Sequence, residues 1–336
     1  MKKQTLLILA AVLVLNACLP SAVTVPAVPT ALPAQPLATQ TPFQPATATT
    51  TSSPPTATFT PRPAVDRVLI ISVDGLRPDA ISLAPMPSLL ALMEAGSYSL
   101  TAQTTYPSAT LPSHTSMLTG MCPDKHGVDW NDYIPENGFA NGPSLFDIAH
   151  QAGLKTVMVV SKKKLRQITI EESTDIFAFV NDRDSVVAER AAPIIKDDFG
   201  VMFIHLFLVD ILGHEYGWLS PDYLIGAFRA DEVIGMILAT LDEAGLRQGT
   251  LIIITADHGG HETSHGSRSP EDMTIPWIIT GAGLTSQELT RPISTVDTAA
   301  TAAWALNLPI PAEWDGSPVK EIFGEKSPER TELPCK

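Results

Sequence analysis

Three apolar runs in this chain each end in an aspartate: "VLIISVD" at Asp74, "FIHLFLVD" at Asp210 and "LIIITAD" at Asp257. Runs this continuous, without the alternation of a half-exposed strand, are expected of strands buried on both faces. "KTVMVVS" (155–161) reads as a further buried strand and "TIPWIIT" (274–280) as another. Helical patterns lie between them. They are "MPSLLALMEAG" (86–96), "GPSLFDIAHQAG" (142–153), "DSVVAERAAPIIKDD" (184–198) and "STVDTAATAAWALN" (294–307). "SPDYLIGAFRADEVIGMILATLDEAG" (220–245) adds Ser at the N-cap, Pro at the first helical position and Gly at its end. Pro193 is expected to break or kink the helix it lies in. Alternating strands and helices predict one α/β domain, a mostly parallel central sheet with helices on both faces.

In open α/β sheets, ligands bind in the crevice beyond the carboxyl ends of the strands. Three carboxylates gathered there repel one another, which raises their pKa values unless cations lie between them. A single strand-end Asp is often a helix N-cap, but three, each close to a His or Gly, point to metal. His214 follows Asp210 by four residues, and "DHGGHETSHG" supplies His258, His261 and His265 after Asp257. Gly259 and Gly260 give the backbone room to turn there. Mixed oxygen and nitrogen ligation suits zinc, with other divalent first-row metals as alternatives.

The stretch "TTYPSATLPSHTSMLTG" (104–120) is crowded with hydroxyls, and its composition alone does not single out Thr110 from Thr104 or Thr105. "SKKKLR" (161–166) reads as a solvated basic loop; the other reading is a lysine that reaches a substrate phosphate. Trp130, Tyr133, Tyr216 and Trp218 adjoin the site motifs as pocket lining or as packing.

The N-terminus reads as an export signal, with Lys2 and Lys3 ahead of an apolar core at Leu6–Leu15. "LNAC" resembles a bacterial lipobox, which makes residues 1–18 a lipoprotein signal ending at a lipidated Cys18, and thus a membrane anchor outside the cytoplasm. Residues 19–63, rich in Pro, Thr and Ala, form a disordered tether, and residues 64–336 form the folded domain. Cys122 and Cys335 remain; in an oxidising compartment they either pair or stay free. Residues 64–336 hold 19 of the 22 basic residues against all 36 acidic ones, a net charge of −17. No nucleic-acid-binding surface is expected of so acidic a domain.

Taken in order, "VDGLRPD", "TTYPSATLPSHTSMLTG", "HGVDWN", "VDILGH" and "ADHGGHETSHG" resemble the alkaline phosphatase superfamily, most closely its type I phosphodiesterase/nucleotide pyrophosphatase branch. The resemblance spans residue 68 to about 281. It implies an alkaline-phosphatase-like fold and two divalent metal ions, zinc first. One ion takes Asp74, Thr110, Asp257 and His258. The other takes Asp210, His214 and His265, with His261 as the fallback. It also implies that Thr110, first in "TLPSH", attacks phosphorus to give a phosphothreonine-type intermediate, which is then hydrolysed. Residues 113–119 are expected to begin a helix whose amides face the phosphoryl group, and Asn131 to donate to a non-bridging oxygen. The implied substrate is a phosphate ester, nucleotides included. Only six residues separate His258 from His265, where nucleotide pyrophosphatases carry a long insertion, so nucleotide specificity does not transfer directly. The position of Thr110 argues against sulfatase chemistry. Two alternatives stand beside the phosphodiesterase: a phosphomonoesterase on the same fold, and a non-catalytic binding lipoprotein.

Overall fold

Residues 65–281 and 283–335 are described by the computed structural model. The expected signal, Cys18 and the tether lie outside the described residues. Among the described residues, eight strands form one sheet: β1 (Arg67–Val73), β2 (Ser97–Gln103), β3 (Thr156–Val160), β4 (Ile176–Phe179), β5 (Val201–Leu206), β6 (Thr250–Thr255), β7 (Thr274–Thr280) and β8 (Gln287–Glu288). Their order is β4-β3-β5-β1-β6-β7-β2-β8. From β4 through β6 all neighbours are parallel, whereas β7 runs antiparallel to both β6 and β2. The central strands β5 and β6 are buried along their whole length and β1 at all but its first residue, as their uninterrupted apolar sequences require.

The helices are α1 (Pro78–Leu83), α2 (Pro87–Ala95), α3 (Thr110–Thr119), α4 (Pro123–His126), α5 (Leu145–Gln151), α6 (Asp184–Lys196), α7 (Leu208–Tyr216), α8 (Pro221–Glu243), α9 (Pro270–Met273) and α10 (Asp297–Ala305). Two packed groups cover the sheet: α1, α2, α6 and α7 gather around α8, and α4, α5 and α10 around α3. α8 begins where the Ser220 hydroxyl accepts from the Tyr223 amide, and it buries Ala227, Ala230, Ile234, Ile237 and Leu241 at helical spacing. Its buried Asp231 accepts from the Ser88 and Leu89 amides (3.0 and 2.8 Å) and so caps α2.

Several boundaries differ from the sequence expectation. The run "FIHLFLVD" is not a strand to its end: β5 stops at Leu206, and Asp210 lies in the first turn of α7. The Asp184 carboxylate accepts from the Phe207 and Leu208 amides (2.9 and 3.2 Å), which ends strand pairing and starts the helix. Pro193 does not break α6, which continues to Lys196. It falls within the last turn and costs a single hydrogen bond, to the carbonyl of solvent-exposed Glu189. α3 starts at Thr110 itself rather than at residue 113. β2 and β8 have no apolar run to announce them, and β2 buries Ser97 and Ser99; β4, a short apolar run of four residues, is an added edge strand. Cys122 and Cys335 form a disulfide that ties the C-terminal segment to the start of α4.

Candidate active site

β5, β1 and β6 are adjacent, so their carboxyl ends open on one crevice. Asp74 follows β1 directly, Asp257 lies two residues past β6, and Asp210 enters from α7. Gly75 sets their spacing. Its φ of +72° and the 3.1 Å between a would-be Cβ and the Asp210 Cα exclude a side chain. The Gly75 amide donates to Asp257 Oδ1 (3.1 Å), and its carbonyl accepts from Trp218 Nε1 and the Tyr223 hydroxyl (2.9 Å each). Gly259 and Gly260 serve close packing rather than a left-handed turn. Added Cβ atoms would lie 2.0 Å from the Glu271 carbonyl oxygen and 2.2 Å from the Trp218 ring.

The histidines have defined tautomers. His258 Nδ1–H donates to the Gly259 carbonyl (2.8 Å), His265 Nδ1–H to the Ser108 carbonyl (2.8 Å) and His214 Nδ1–H to the Thr263 carbonyl (3.0 Å). A carbonyl only accepts, so in the neutral ring each Nε2 keeps its lone pair. Those lone pairs face carboxylates. His258 Nε2 is 3.4 Å from Asp74 Oδ1 and 3.3 Å from Asp257 Oδ2. His214 and His265 Nε2 lie 3.3 and 3.7 Å from Asp210 Oδ1. Lone pair against carboxylate is unfavourable unless a cation lies between. Asp74 Oδ1, Asp210 Oδ1, Asp257 Oδ2 and His258 Nε2 are buried with no hydrogen-bond partner, a set that coordination to metal would satisfy. Ligand atoms of Asp210, His214 and His265 lie within 4.8 Å of one another, as do those of Asp74, Asp210 and His258. The donor set therefore fits cations, with Asp210 close to both groups.

Electrostatics divide the carboxylates. Burial, followed by the charge of Asp74, pushes the Asp257 carboxyl well above the ordinary range. Burial acts the same way on Asp74, but Lys162 and a hydrogen bond from His205 outweigh it and bring that carboxyl well below. Burial and Asp74 also oppose ionisation of Asp210, but its His214 and Lys162 contacts hold it down at about 2. Burial keeps His258 and His265 neutral, His265 down to about 4. His214 moves up instead, through its contact with Asp210: that position favours positive charge, whether a proton or a metal supplies it.

Lys162 is the member of this cluster that the solvated-loop reading missed. Its Nζ lies 2.7 Å from Asp74 Oδ2, 2.7 Å from Asp210 Oδ2 and 3.2 Å from Thr110 Oγ1. Burial works against its charge, but Asp74 and Asp210 more than offset this and raise its pKa. Lys164 donates to the Asn131 side-chain and backbone oxygens (2.9 and 2.8 Å). Only Lys163 of the three lysines is exposed, 4.5 Å over the Tyr133 ring. The signal available in the sequence was position: Ser161 follows a central parallel strand, so the loop begins at the same sheet edge as Asp74.

Thr110 stands at the N-terminus of α3, buried, with its hydroxyl toward Lys162. The helix start presents fewer free amides than expected. Leu111 N–H donates to Asn131 Oδ1 (2.9 Å), Pro112 has none, and Ser113 N–H bonds to the Ala109 carbonyl (3.0 Å). The Thr110 amide is left to meet an anion. With its Oδ1 taken by Leu111 and Lys164, Asn131 is oriented with Nδ2 as the remaining donor. His261 stands apart from the cluster, bonded through Nδ1 to Asp272 (2.6 Å). Trp218 is packing: it is buried against Gly260, with its indole N–H on Gly75. Tyr133 and Tyr216 are exposed, and Trp130 is partly buried.

Fold and cluster together define an alkaline-phosphatase-like α/β protein. The model of the family described as type I phosphodiesterase / nucleotide pyrophosphatase matches residues 68–274, more than half of the chain, and the protein belongs to that family. The chain is 29% identical over 283 residues to human "GPI ethanolamine phosphate transferase 2, catalytic subunit", covering 76% of this chain and 28% of that protein. It is 25% identical over 222 residues to human ectonucleotide pyrophosphatase/phosphodiesterase family member 1, covering 58% and 24%. The chain thus spans roughly a quarter of the length of these curated relatives. Murine ectonucleotide pyrophosphatase/phosphodiesterase 5, solved as an inactive variant with AMP, shares the fold at a TM-score of 0.68 and 15% identity, over 77% of this chain and 100% of that one. A phosphonate monoester hydrolase from Silicibacter pomeroyi does so at 0.61 and 16%, over 78% and 77%.

Proposed function

We propose that this protein is a phosphoric ester hydrolase that depends on two divalent metal ions, zinc first, with Thr110 as nucleophile and a phosphodiester or nucleotide phosphoanhydride as substrate. The observation that carries the reading is the facing of imidazole lone pairs and unpartnered carboxylate oxygens beside a helix-borne hydroxyl. Asp74, Asp257 and His258, with Thr110, would hold one ion, and Asp210, His214 and His265 the other. Bound metal would supply Lewis-acid stabilisation of developing negative charge and lower the pKa of the attacking hydroxyl. The chain's own groups do the rest. The Thr110 hydroxyl is held beside Lys162 for attack on phosphorus. The Thr110 amide and Asn131 Nδ2 donate to non-bridging oxygens, and the fixed carbonyl contacts of the histidines keep the cluster from reorganising. AMP in the related murine structure and the pyrophosphatase relatives support a nucleotide-type substrate.

One observation favours the phosphomonoesterase as a second reading. Lys162 touches Thr110 and Lys164 touches Asn131, which places two ammonium groups next to both residues assigned to the phosphoryl group. A monoester dianion gains more from such charge than a diester monoanion. Rates on bis(p-nitrophenyl) phosphate and p-nitrophenyl phosphate separate the readings. A faster diester is expected, and a much faster monoester, lost on the order of 10²-fold in Lys162→Met, would replace the first reading with the second.

The sequence before residue 64 supports export and anchoring at Cys18. Metabolic labelling with palmitate, present in the wild type and absent in Cys18→Ser, is the expected result; equal labelling would rule the anchor out.

A further inference from the structure

β5 reads Val-Met-Phe-Ile-His-Leu, and its one polar side chain, His205, is fully buried within the sheet. An imidazole in such a strand is costly unless its nitrogens are engaged. Nε2–H donates to Asp74 Oδ2 (2.8 Å); because a carboxylate only accepts, the hydrogen sits on Nε2. Nδ1, an acceptor in this tautomer, lies 3.2 Å from Ser161 Oγ, whose single hydrogen is directed at the His205 carbonyl (2.6 Å) or at Nδ1. Strand register makes this geometry. His205 is paired with Val160 of β3 on one side and with Ser72 of β1 on the other. Ser161 follows Val160, and Asp74 lies two residues beyond Ser72, on the same face of the sheet. His114 packs edge-on against the ring, 5.0 Å between centroids.

A carboxylate can hold a cation through either oxygen or both. At Asp74, Oδ2 is occupied by the His205 N–H and by Lys162. Oδ1, without a hydrogen-bond partner, faces His258 Nε2. We infer that His205 is a positioning residue that locks the Asp74 carboxylate, so that Oδ1 alone is presented to the cation site; this rests on the metal-site reading above.

The test is zinc affinity of the purified full chain, stripped with a chelator and titrated in competition with a chromophoric chelator. His205→Gln carries an amide N–H to the place of Nε2 and preserves the bond to Asp74. His205→Asn carries its amide only to the place of Nδ1, within reach of Ser161 and short of Asp74. Both bury a primary amide, so a general folding cost is shared, and thermal melting checks it. The Gln variant is expected within a few fold of wild type and the Asn variant about 10- to 100-fold weaker, the usual scale for a group that orients a ligand. Equal affinities in the two variants, at any level, overturn the positioning role. If the Asn variant does not fold, His205→Phe replaces it as the variant without a donor, with the same expected loss and the same overturning result. A wild-type chain that binds no zinc overturns the metal reading itself, an outcome separate from the first.

Discussion

The two halves of the cation cluster are built differently. Asp74, Asp257 and His258 sit at the ends of central strands and are fully buried. Their unengaged atoms are fixed from behind by His205, by the Gly75 amide and by the Gly259 carbonyl. Asp210, His214 and His265 come from a helix and a loop; the His214 side chain is 45% exposed and rests on a single loop carbonyl, that of Thr263. The strand-borne half lies in a rigid, low-dielectric setting next to Thr110, and the helix-borne half opens to solvent at His214, while Asp210 and His265 stay largely covered. On the proposed reading, shape and charge at the Thr110 hydroxyl therefore depend on the first half, and ligand exchange on the second.

That difference can be broken by paired substitutions. Asp257→Asn removes a buried carboxyl group from the proposed cation site beside Thr110 and is expected to lower kcat/KM by about 10³-fold, the scale of losing a group that stabilises transition-state charge. Excess zinc should not restore it. His214→Ala is expected to cost about 10- to 100-fold and to recover largely in excess zinc, since water can take the place of an exposed ligand. Steady-state kinetics across a zinc titration checks both. Equal losses with equal recovery would erase the distinction between the halves.

A smaller effect separates acid sensitivity of the packing from that of the cation cluster. His126 is buried under α3, where Nδ1 accepts from the Val128 amide and Nε2 faces the Ser116 hydroxyl. Burial lowers its pKa to about 4. The unfolded chain takes up that proton first, at its ordinary value near 6.5, so this contribution to stability is complete above that pH and declines as pH falls towards 4. The loss is about 3 kcal/mol. Melting in chelator from pH 7 to 4 should show it in the wild type and not in His126→Gln. An unchanged slope in the variant would mean that another group carries it.

Legibility followed the physics of each element. The strands β1, β3, β5, β6 and β7 were readable because a strand covered on both faces must be apolar, and Asp74 and Asp257 stood out as the first charges past two of them. β2 was not readable, since it buries serines among neighbours that leave it no apolar pattern. Asp210 was found as a residue but misplaced in structure: Asp184, distant in sequence, decides where β5 ends. Thr110 required the family motif, because hydroxyls of equal composition surround it. Lys162 and Lys164 looked like solvated charge, since a run of lysines carries no sign of the carboxylates that hold them. His205 was hidden inside an apolar strand, and only the register across β3 and β1 brings it to Asp74.

The most direct measurement of the central claim is acid-quenched turnover followed by peptide mass spectrometry, with Thr110→Ala alongside. With a phosphate monoester or diester as substrate, the expected result is a phosphoryl-type adduct on the peptide spanning residues 104–120, localised to Thr110. It should be absent from the Ala variant, which still binds zinc. An adduct on another residue, or a Thr110→Ala chain that turns over at the wild-type rate, would contradict the account.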